Sequence, residues 1–199
     1  MLPQKGLGYL VHLAIKSYKK AIAIKPGYAN AYLNLGGSYV KQGKYNLAIE
    51  PLKKLIAIEP DYAEAHYGLG IVYDEQGKYD LAIESFKKAT TIKPDYAKAH
   101  YNLGVAYDKQ GTYDLAIESY KKAITIDPDD AEAHYNLGHA YSKQGKDDLA
   151  IESIKKAISI NLNYNTPEME WHGLKKPRWC EAIREFEEKV GETKPLSDV

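Results

Sequence analysis

Residues 63–94, AEAHYGLGIVYDEQGKYDLAIESFKKATTIKP, contain the clearest secondary-structure pattern in this chain. Apolar residues recur in both of its halves at intervals of three and four, which predicts two amphipathic helices, over 63–76 and 79–92. Gly77 separates the two helices and Pro94 ends the second. Because so few residues join them, the helices are expected to pack antiparallel as a hairpin.

The same pattern occurs four times at a spacing of 34 residues, marked by Pro26, Pro60, Pro94 and Pro128. Each block has a Leu-Gly pair, a Tyr three residues later and an Ala nine residues beyond the Tyr. Four residues after that Ala comes a bulky residue, namely Leu52, Phe86, Tyr120 and Ile154. The Gly and Ala are small where the two helices of a block would cross. One hairpin cannot bury its apolar face alone, so stacked neighbours are expected.

This period and these residues resemble the tetratricopeptide repeat family over about residues 8–162. The resemblance implies an all-α fold, a right-handed α-solenoid of antiparallel helix hairpins. We expect a four-repeat array over 29–162, in blocks of 29–62, 63–96, 97–130 and 131–164.

Both ends of the chain depart from the repeat. Residues 8–28 match only the second helix of a block, so we expect an N-terminal half-repeat, which is either a natural capping helix or part of a longer array. Leu162 replaces the Pro of the fourth block. Residues 163–199 are expected to form a polar linker followed by a C-terminal capping helix over 177–190, with a separate docking segment as the alternative.

The composition excludes several classes of protein. Lys+Arg and Asp+Glu tie at 27 each, so the basic excess typical of a nucleic-acid binder is missing. The longest apolar run, residues 7–15, is too short for membrane insertion. A single cysteine, Cys180, excludes an intramolecular disulfide framework. Nothing demands an oxidising compartment, and we expect a cytoplasmic protein.

Three histidines at the same place in successive blocks, His66, His100 and His134, raise the question of a metal site. Equivalent positions in stacked helices lie about 10 Å apart, whereas zinc needs its ligands about 2 Å from one point. We therefore expect packing histidines, with no metal and no cofactor. No nucleophile or acid–base pair is indicated either, so the chain is predicted not to be an enzyme.

The second helix of each block has two further features. A Lys-Lys pair recurs in every block, and a Glu stands four residues before its second Lys, which is the favourable order for helix ion pairs. The pairs therefore predict a solvated, self-compensated outer face. Pro51 occupies the first block where the others have Ser, and an interior Pro is expected to weaken and bend that helix.

In the tetratricopeptide repeat family, the first helix of each block lines a concave groove. Carried onto this sequence, the resemblance implies a groove lined by Leu33, Asn34, Tyr67, Ile71, Lys98, Tyr101, Asn102, Val105, Tyr135, Asn136 and His139. The three Tyr would form a stripe of aromatic faces suited to peptide side chains. The three Asn would form a ladder, broken by Gly68, whose amides both donate to and accept from a peptide backbone.

These features predict a non-catalytic scaffold that binds a peptide segment of a partner protein in the groove. Two alternatives stay open: a substrate- or partner-recruiting fragment of a larger enzyme, such as a glycosyltransferase, and a scaffold that self-associates through the array ends. A family subset captures the C-terminal carboxylates of chaperones with Lys and Asn, but Leu33 and Gly37 stand at those positions here.

Overall fold

The structure is a computed structural model and describes residues 4–160, with side chains from residue 10 onward. Every regular element in this range is an α-helix. The helices are α1 Gln4–Ile24, α2 Ala29–Lys41, α3 Tyr45–Ile58, α4 Ala63–Glu75, α5 Tyr79–Ile92, α6 Ala97–Lys109, α7 Tyr113–Ile126, α8 Ala131–Lys143 and α9 Asp147–Ile160. The prediction of an all-α fold is confirmed for this part of the chain.

We call α2, α4, α6 and α8 the A helices and α3, α5, α7 and α9 the B helices, because they are the first and second helices of the four blocks. The expected half-repeat at 8–28 falls on α1. The expected linker and capping helix within 163–199, together with Leu162 and Cys180, lie outside the described residues.

The chain divides into two compact units, Met1–Ala106 and Tyr107–Val199. In the first unit α2 pairs with α3 and α4 pairs with α5, while α1 packs on α2 and α4 packs on both α2 and α3. In the second unit α8 pairs with α9 and also packs on α7. Each unit thus contains the helix hairpins that the 34-residue period predicts.

Each A helix ends in the same turn, which sets the direction of the B helix that follows. At the end of α4, Gly77 has a φ of 70°, a left-handed conformation that favours glycine. The Gly77 N–H donates to the Asp74 carbonyl and the Lys78 N–H to the Tyr73 carbonyl, both at 2.9 Å. These two bonds form a Schellman motif, which satisfies carbonyls at the helix end. Positive φ recurs at Gly43, Gly111 and Gly145.

The core of each hairpin lies where its two helices cross. In the second block Ala82 and Phe86 have no exposed surface, and a Cβ added at Gly70 would collide with the Phe86 ring. The first and fourth hairpins show the same arrangement, since a Cβ at Gly36 would lie 2.8 Å from Leu52, and one at Gly138 would lie 2.6 Å from Ile154. The small residues therefore permit close packing of the helices, as the sequence predicted.

Gly70→Ala tests this crossing. A methyl group here has to displace an aromatic ring, so we expect destabilisation of about 1–3 kcal/mol from overpacking, even though Ala favours the helix. Gly37→Ala is the matched control, because Gly37 is helical and a Cβ there meets nothing within 4 Å. It should raise stability by up to about 1 kcal/mol. Urea unfolding of both variants measures the difference, and equal shifts in the two would contradict a tight crossing.

α3 continues through Pro51, which is buried within the helix. In the other B helices the equivalent Ser85, Ser119 and Ser153 each donate a hydroxyl hydrogen bond of 2.8 Å to the carbonyl four residues earlier. Proline provides neither that bond nor the backbone N–H that normally bonds the same carbonyl. Pro51 therefore leaves α3 weaker than its counterparts by at least one hydrogen bond.

Pro51→Ser should raise the free energy of unfolding, by an amount approaching about 3 kcal/mol, because it restores the backbone bond. The reciprocal change Ser85→Pro should lower it by a similar amount. Thermal unfolding followed by circular dichroism compares both variants with the wild type. A Pro51→Ser protein that is less stable than wild type would show that the buried proline ring contributes more through packing than it costs in hydrogen bonding.

Candidate functional site

The predicted groove residues all lie on the A helices. In α4, Tyr67 and Ile71 are four residues apart and half-buried, whereas Leu69, Gly70 and Val72 are buried. This spacing puts the buried residues against neighbouring helices and leaves Tyr67 and Ile71 on a shared, partly accessible side. We call this side of the A helices, in each of the two units, the A-helix face.

An aromatic pair forms the centre of the A-helix face in the first unit. The rings of Tyr67 and Tyr96 lie 5.0 Å apart at an interplanar angle of 40°. Tyr67 also contacts Phe86 of the hairpin core, with ring centroids 5.8 Å apart. Tyr67 thus connects the core to the accessible face, and Tyr96 extends the aromatic surface outward.

Charged side chains flank this pair. The Lys93 ammonium lies 5.0 Å from the centre of the Tyr96 ring and 3.4 Å from a carboxylate oxygen of Glu64. Both partners of this ion pair are largely exposed, so its contribution to stability is small. Its main effect is to hold a cation over the outer aromatic ring.

Both tyrosines keep their protons at neutral pH. Burial raises the pKa of Tyr96 to about 12, and the neighbouring Tyr67 and Glu64 add to that shift. Burial also raises the pKa of Tyr67, partly offset by its hydrogen bond with Asn102. The pair therefore offers neutral phenols, which can both donate and accept hydrogen bonds.

Asn102 is held in place by the side chain and backbone around it. Its amide nitrogen donates to the Tyr67 hydroxyl at 3.1 Å and to the Lys98 carbonyl at 2.9 Å. With both amide hydrogens engaged, the group it presents is the Oδ1 acceptor. Asn34 likewise donates to a backbone carbonyl, that of Asn30, at 2.8 Å. The Asn side chains that the sequence predicted as a peptide ladder are thus pre-oriented by internal hydrogen bonds.

The remaining predicted residues of the first unit differ in accessibility. Leu33 packs against the core that contains Ala29, Leu55 and Ala65. Lys98 is exposed, while Ile71, Tyr101 and Val105 are half-buried. The structure therefore brings Tyr67 and Asn102 into direct contact and places the other predicted residues of this unit on the same set of A helices.

The A-helix face of the second unit includes Tyr135, Asn136 and His139, all half-buried. Burial raises the pKa of Tyr135. His139 Nδ1 lies 3.6 Å from a carboxylate oxygen of Asp108, an ion-pair distance when the imidazole is protonated. That oxygen is buried and has no hydrogen-bond partner in the described part of the chain. His139 and Asp108 therefore form a polar pair on this face.

The predicted set of site residues lacked Tyr96 and Lys93. Tyr96 lies in the turn before α6, outside the A helices on which the prediction rested. A signal was present, because Tyr28 ends the half-repeat and Tyr62 ends the first block at the same place. The Tyr62 hydroxyl lies 3.4 Å from Asn30 Oδ1, so this turn residue contacts the A helix of its own block, as Tyr96 does.

The three repeated histidines have a structural role. His66, His100 and His134 each place Nε2 at 2.9–3.0 Å from the carbonyl oxygen of the proline six residues earlier. A ring N–H that donates to this carbonyl ties the start of the A helix to the turn before it. Among the described residues, no group of three or more His, Cys, Asp or Glu side chains is placed to hold a metal ion.

Within residues 4–160, no helix has both the length and the hydrophobicity needed to cross a bilayer.

Comparison with known proteins identifies the repeat. A family model described as "TPR repeat" matches residues 13–43, 36–77, 72–111 and 109–145, and one described as "Tetratricopeptide repeat" matches 131–164. No curated protein sequence matches the chain.

Solved structures show the same fold. A crystal structure of MamA is 36% identical with a TM-score of 0.71, and the match covers 76% of this chain and 88% of that one. A second MamA structure is 34% identical with a TM-score of 0.72, covering 83% and 91%. YrrB, whose structure is described as a TPR protein with an unusual peptide-binding site, is 25% identical with a TM-score of 0.67, covering 79% and 81%.

The raised pKa of Tyr96 predicts an alkaline loss of stability. An unfolded tyrosine has a pKa near 10.0, so the folded chain binds this proton more tightly than the unfolded chain does. The resulting stability is fully present below pH 10 and is lost as the pH rises towards about 12. Tyr96→Phe keeps the ring but removes this proton, so its free energy of unfolding should fall less steeply over that interval.

Urea unfolding between pH 9 and pH 11.5 measures the two slopes. Tyr28→Phe is the control, because Tyr28 occupies the same place at the end of the half-repeat 8–28 and is 43% exposed. Parallel slopes for wild type and Tyr96→Phe would contradict the raised pKa.

Proposed function

Because the chain belongs to the tetratricopeptide repeat family, we propose that it is a non-catalytic protein-interaction scaffold whose A-helix face binds a peptide segment of a partner protein. The observation that carries this proposal is the cluster of Tyr67, Tyr96 and Asn102, in which a half-buried aromatic pair adjoins a fixed hydrogen-bonding amide. Aromatic surface with oriented polar groups is typical of surfaces that recognise peptides.

Each residue of the cluster makes a distinct contact in the proposed complex. A peptide side chain packs on the rings of Tyr67 and Tyr96, which provide large contact area with few rotatable bonds. The Oδ1 of Asn102 accepts a hydrogen bond from a backbone N–H of the peptide. Lys93, held over Tyr96, favours an acidic group or a backbone carbonyl beside the aromatic contact.

The internal hydrogen bonds favour binding because they reduce its entropic cost. Asn102 is already fixed by Tyr67 and by the Lys98 carbonyl. A side chain that is ordered before the peptide arrives loses little freedom on binding, whereas ordering a free one costs about 0.5–1.5 kcal/mol. Most of the remaining cost is that of ordering the peptide, so we expect moderate affinity.

The A-helix face of the second unit supports the same function with different chemistry. Tyr135 provides aromatic surface, while His139 and Asp108 provide a polar pair. We propose that this pair recognises a hydrogen-bonding side chain of the peptide, because the side chains of His139 and Asp108 are 43% and 23% exposed.

Two further considerations support the assignment. The structurally similar YrrB is described as having a peptide-binding site.

Within the proposed organisation, the half-repeat at 8–28 and the segment at 163–199 would flank the four repeats, leaving the A helices to bind the ligand. Helical repeats commonly use their terminal elements in this way to protect the array.

The proposal is tested with peptides selected from a random phage-displayed library on the immobilised chain. The groove variant combines Asn34→Ala, Lys98→Ala, Asn102→Ala and His139→Ala, which shorten accessible polar side chains and leave the core unchanged. Selected peptides should bind it at least about tenfold more weakly than wild type by isothermal calorimetry.

The control variant combines Glu118→Ala and Lys122→Ala, which lie exposed on α7. It should bind the same peptides as wild type does. Full affinity of the groove variant, with its helicity unchanged, would exclude the A-helix face as the binding site.

A further inference from the structure

Two clefts of matching composition border the B helices, one within each unit. The first has a volume of about 690 Å³ and is lined by α3, α4 and α5. The second has a volume of about 410 Å³ and is lined by α7, α8 and α9. Both volumes are typical of ligand-binding clefts. Equivalent positions of the 34-residue repeat line them, so the cleft is a repeated feature of the fold.

The inner surface of each cleft is apolar. Ile56 comes from one B helix, Leu69 and Tyr73 come from the A helix between, and Leu81 comes from the next B helix. The second cleft has the equivalent side chains Ile124, Leu137, Tyr141 and Leu149. In α4 these residues lie on a different side from Tyr67 and Ile71, so the cleft is separate from the A-helix face.

A row of exposed leucines accompanies the clefts. The third residue of every B helix is a leucine that is 42–53% exposed, namely Leu47, Leu81, Leu115 and Leu149. A single exposed leucine is ordinary on a protein surface. Here the same exposed position is apolar in all four blocks, and two of the four leucines line the clefts described above.

Lysines dominate the rim of each cleft. Lys53, Lys87 and Lys88 face a single Glu84 in the first, and Lys121 and Lys156 face Glu152 in the second. The chain as a whole carries no net charge, so this excess is local. The sequence predicts Glu–Lys pairs four residues apart on this face, and Lys54 and Glu50 lie 4.0 Å apart. Each cleft contains one pair of the same spacing, so the excess positive charge is that of Lys53 and Lys87 in the first cleft and of Lys121 in the second.

We propose that these clefts are a second docking surface, which binds an acidic peptide segment with apolar side chains along one side. Its apolar side chains would enter the cleft beside the exposed leucine, as an amphipathic helix does in a groove. Its carboxylates would pair with the lysines of the rim, where electrostatic complementarity favours acidic over basic partners. Nucleic acid would match the rim but would leave the leucines without a role, so the peptide accounts for more of the structure.

The probe is a fluorescein-labelled peptide of about 15 residues, made of Leu at intervals of three and four with Glu at all other positions. A second peptide carries Lys in place of every Glu. Fluorescence anisotropy with the full chain should show saturable binding of the Glu peptide and at least about tenfold weaker binding of the Lys peptide.

Two variants separate the apolar and charged contributions. The leucine variant changes all four exposed leucines to Ser, so that every equivalent position is altered. The charge variant carries Lys53→Glu, Lys88→Glu, Lys121→Glu and Lys156→Glu. Each should bind the Glu peptide at least about tenfold more weakly than wild type, and the effect of the charge variant should shrink as salt is added.

The matched control is Asn34→Ser combined with Lys98→Glu, on the A-helix face. It should bind the Glu peptide like wild type, which also separates this proposal from the function of that face. The proposal is overturned if a folded leucine variant keeps full affinity, if the Lys peptide binds equally well, or if an oligothymidylate binds wild type more tightly than the Glu peptide. If the leucine variant loses helicity, the affinity of the charge variant for the Glu peptide tests the proposal instead, because that variant changes only exposed side chains.

Discussion

The close crossing of the A and B helices within a hairpin governs how the other helices pack and which surfaces stay accessible. At Gly70 the helix has no side chain, and the ring of Phe86 occupies the space. Ala82, one turn before that ring, has no exposed surface. Since this contact fixes how α4 lies on α5, it also determines which sides of α4 face its other neighbours and which stay accessible.

That geometry leaves α4 with more than one accessible side. In α4 the sequence around the crossing alternates between Tyr67 and Ile71 on one side and Leu69 and Tyr73 on another. Tyr67 and Ile71 belong to the A-helix face, and Leu69 and Tyr73 form the inner surface of the cleft between α3 and α5. A helix that is buried along only part of its circumference can therefore contribute to two separate surfaces without any change in its packing.

The fold was predictable from the sequence because its determinants are local and repeated. The spacing of the apolar residues, together with Gly77 and Pro94, indicated the bounds of α4 and α5 to within one residue. The recurrence of small and bulky residues at fixed positions identified where the two helices cross. The details of the site were less accessible. Tyr96 lies far from Tyr67 in sequence and meets it only because the chain folds the turn after α5 back onto α4. The engagement of Asn102 with Tyr67 and the bonds from the histidines to the proline carbonyls likewise depend on side-chain positions that periodicity does not specify.

The four blocks differ at the A-helix face and agree at the clefts, and this contrast bears on what each surface recognises. The fifth position of the blocks holds Leu33, Tyr67, Tyr101 and Tyr135, and the ninth holds Gly37, Ile71, Val105 and His139. Along the B helices, by contrast, every block repeats the exposed Leu, the Glu and the Lys-Lys pair without change.

A surface that differs from block to block presents a distinct environment to each part of a ligand, and can select one sequence. A surface that repeats presents equivalent environments, so it selects a pattern of charge and hydrophobicity. The A-helix face is therefore the better candidate for specificity towards a single partner, and the clefts are better suited to a class of acidic segments.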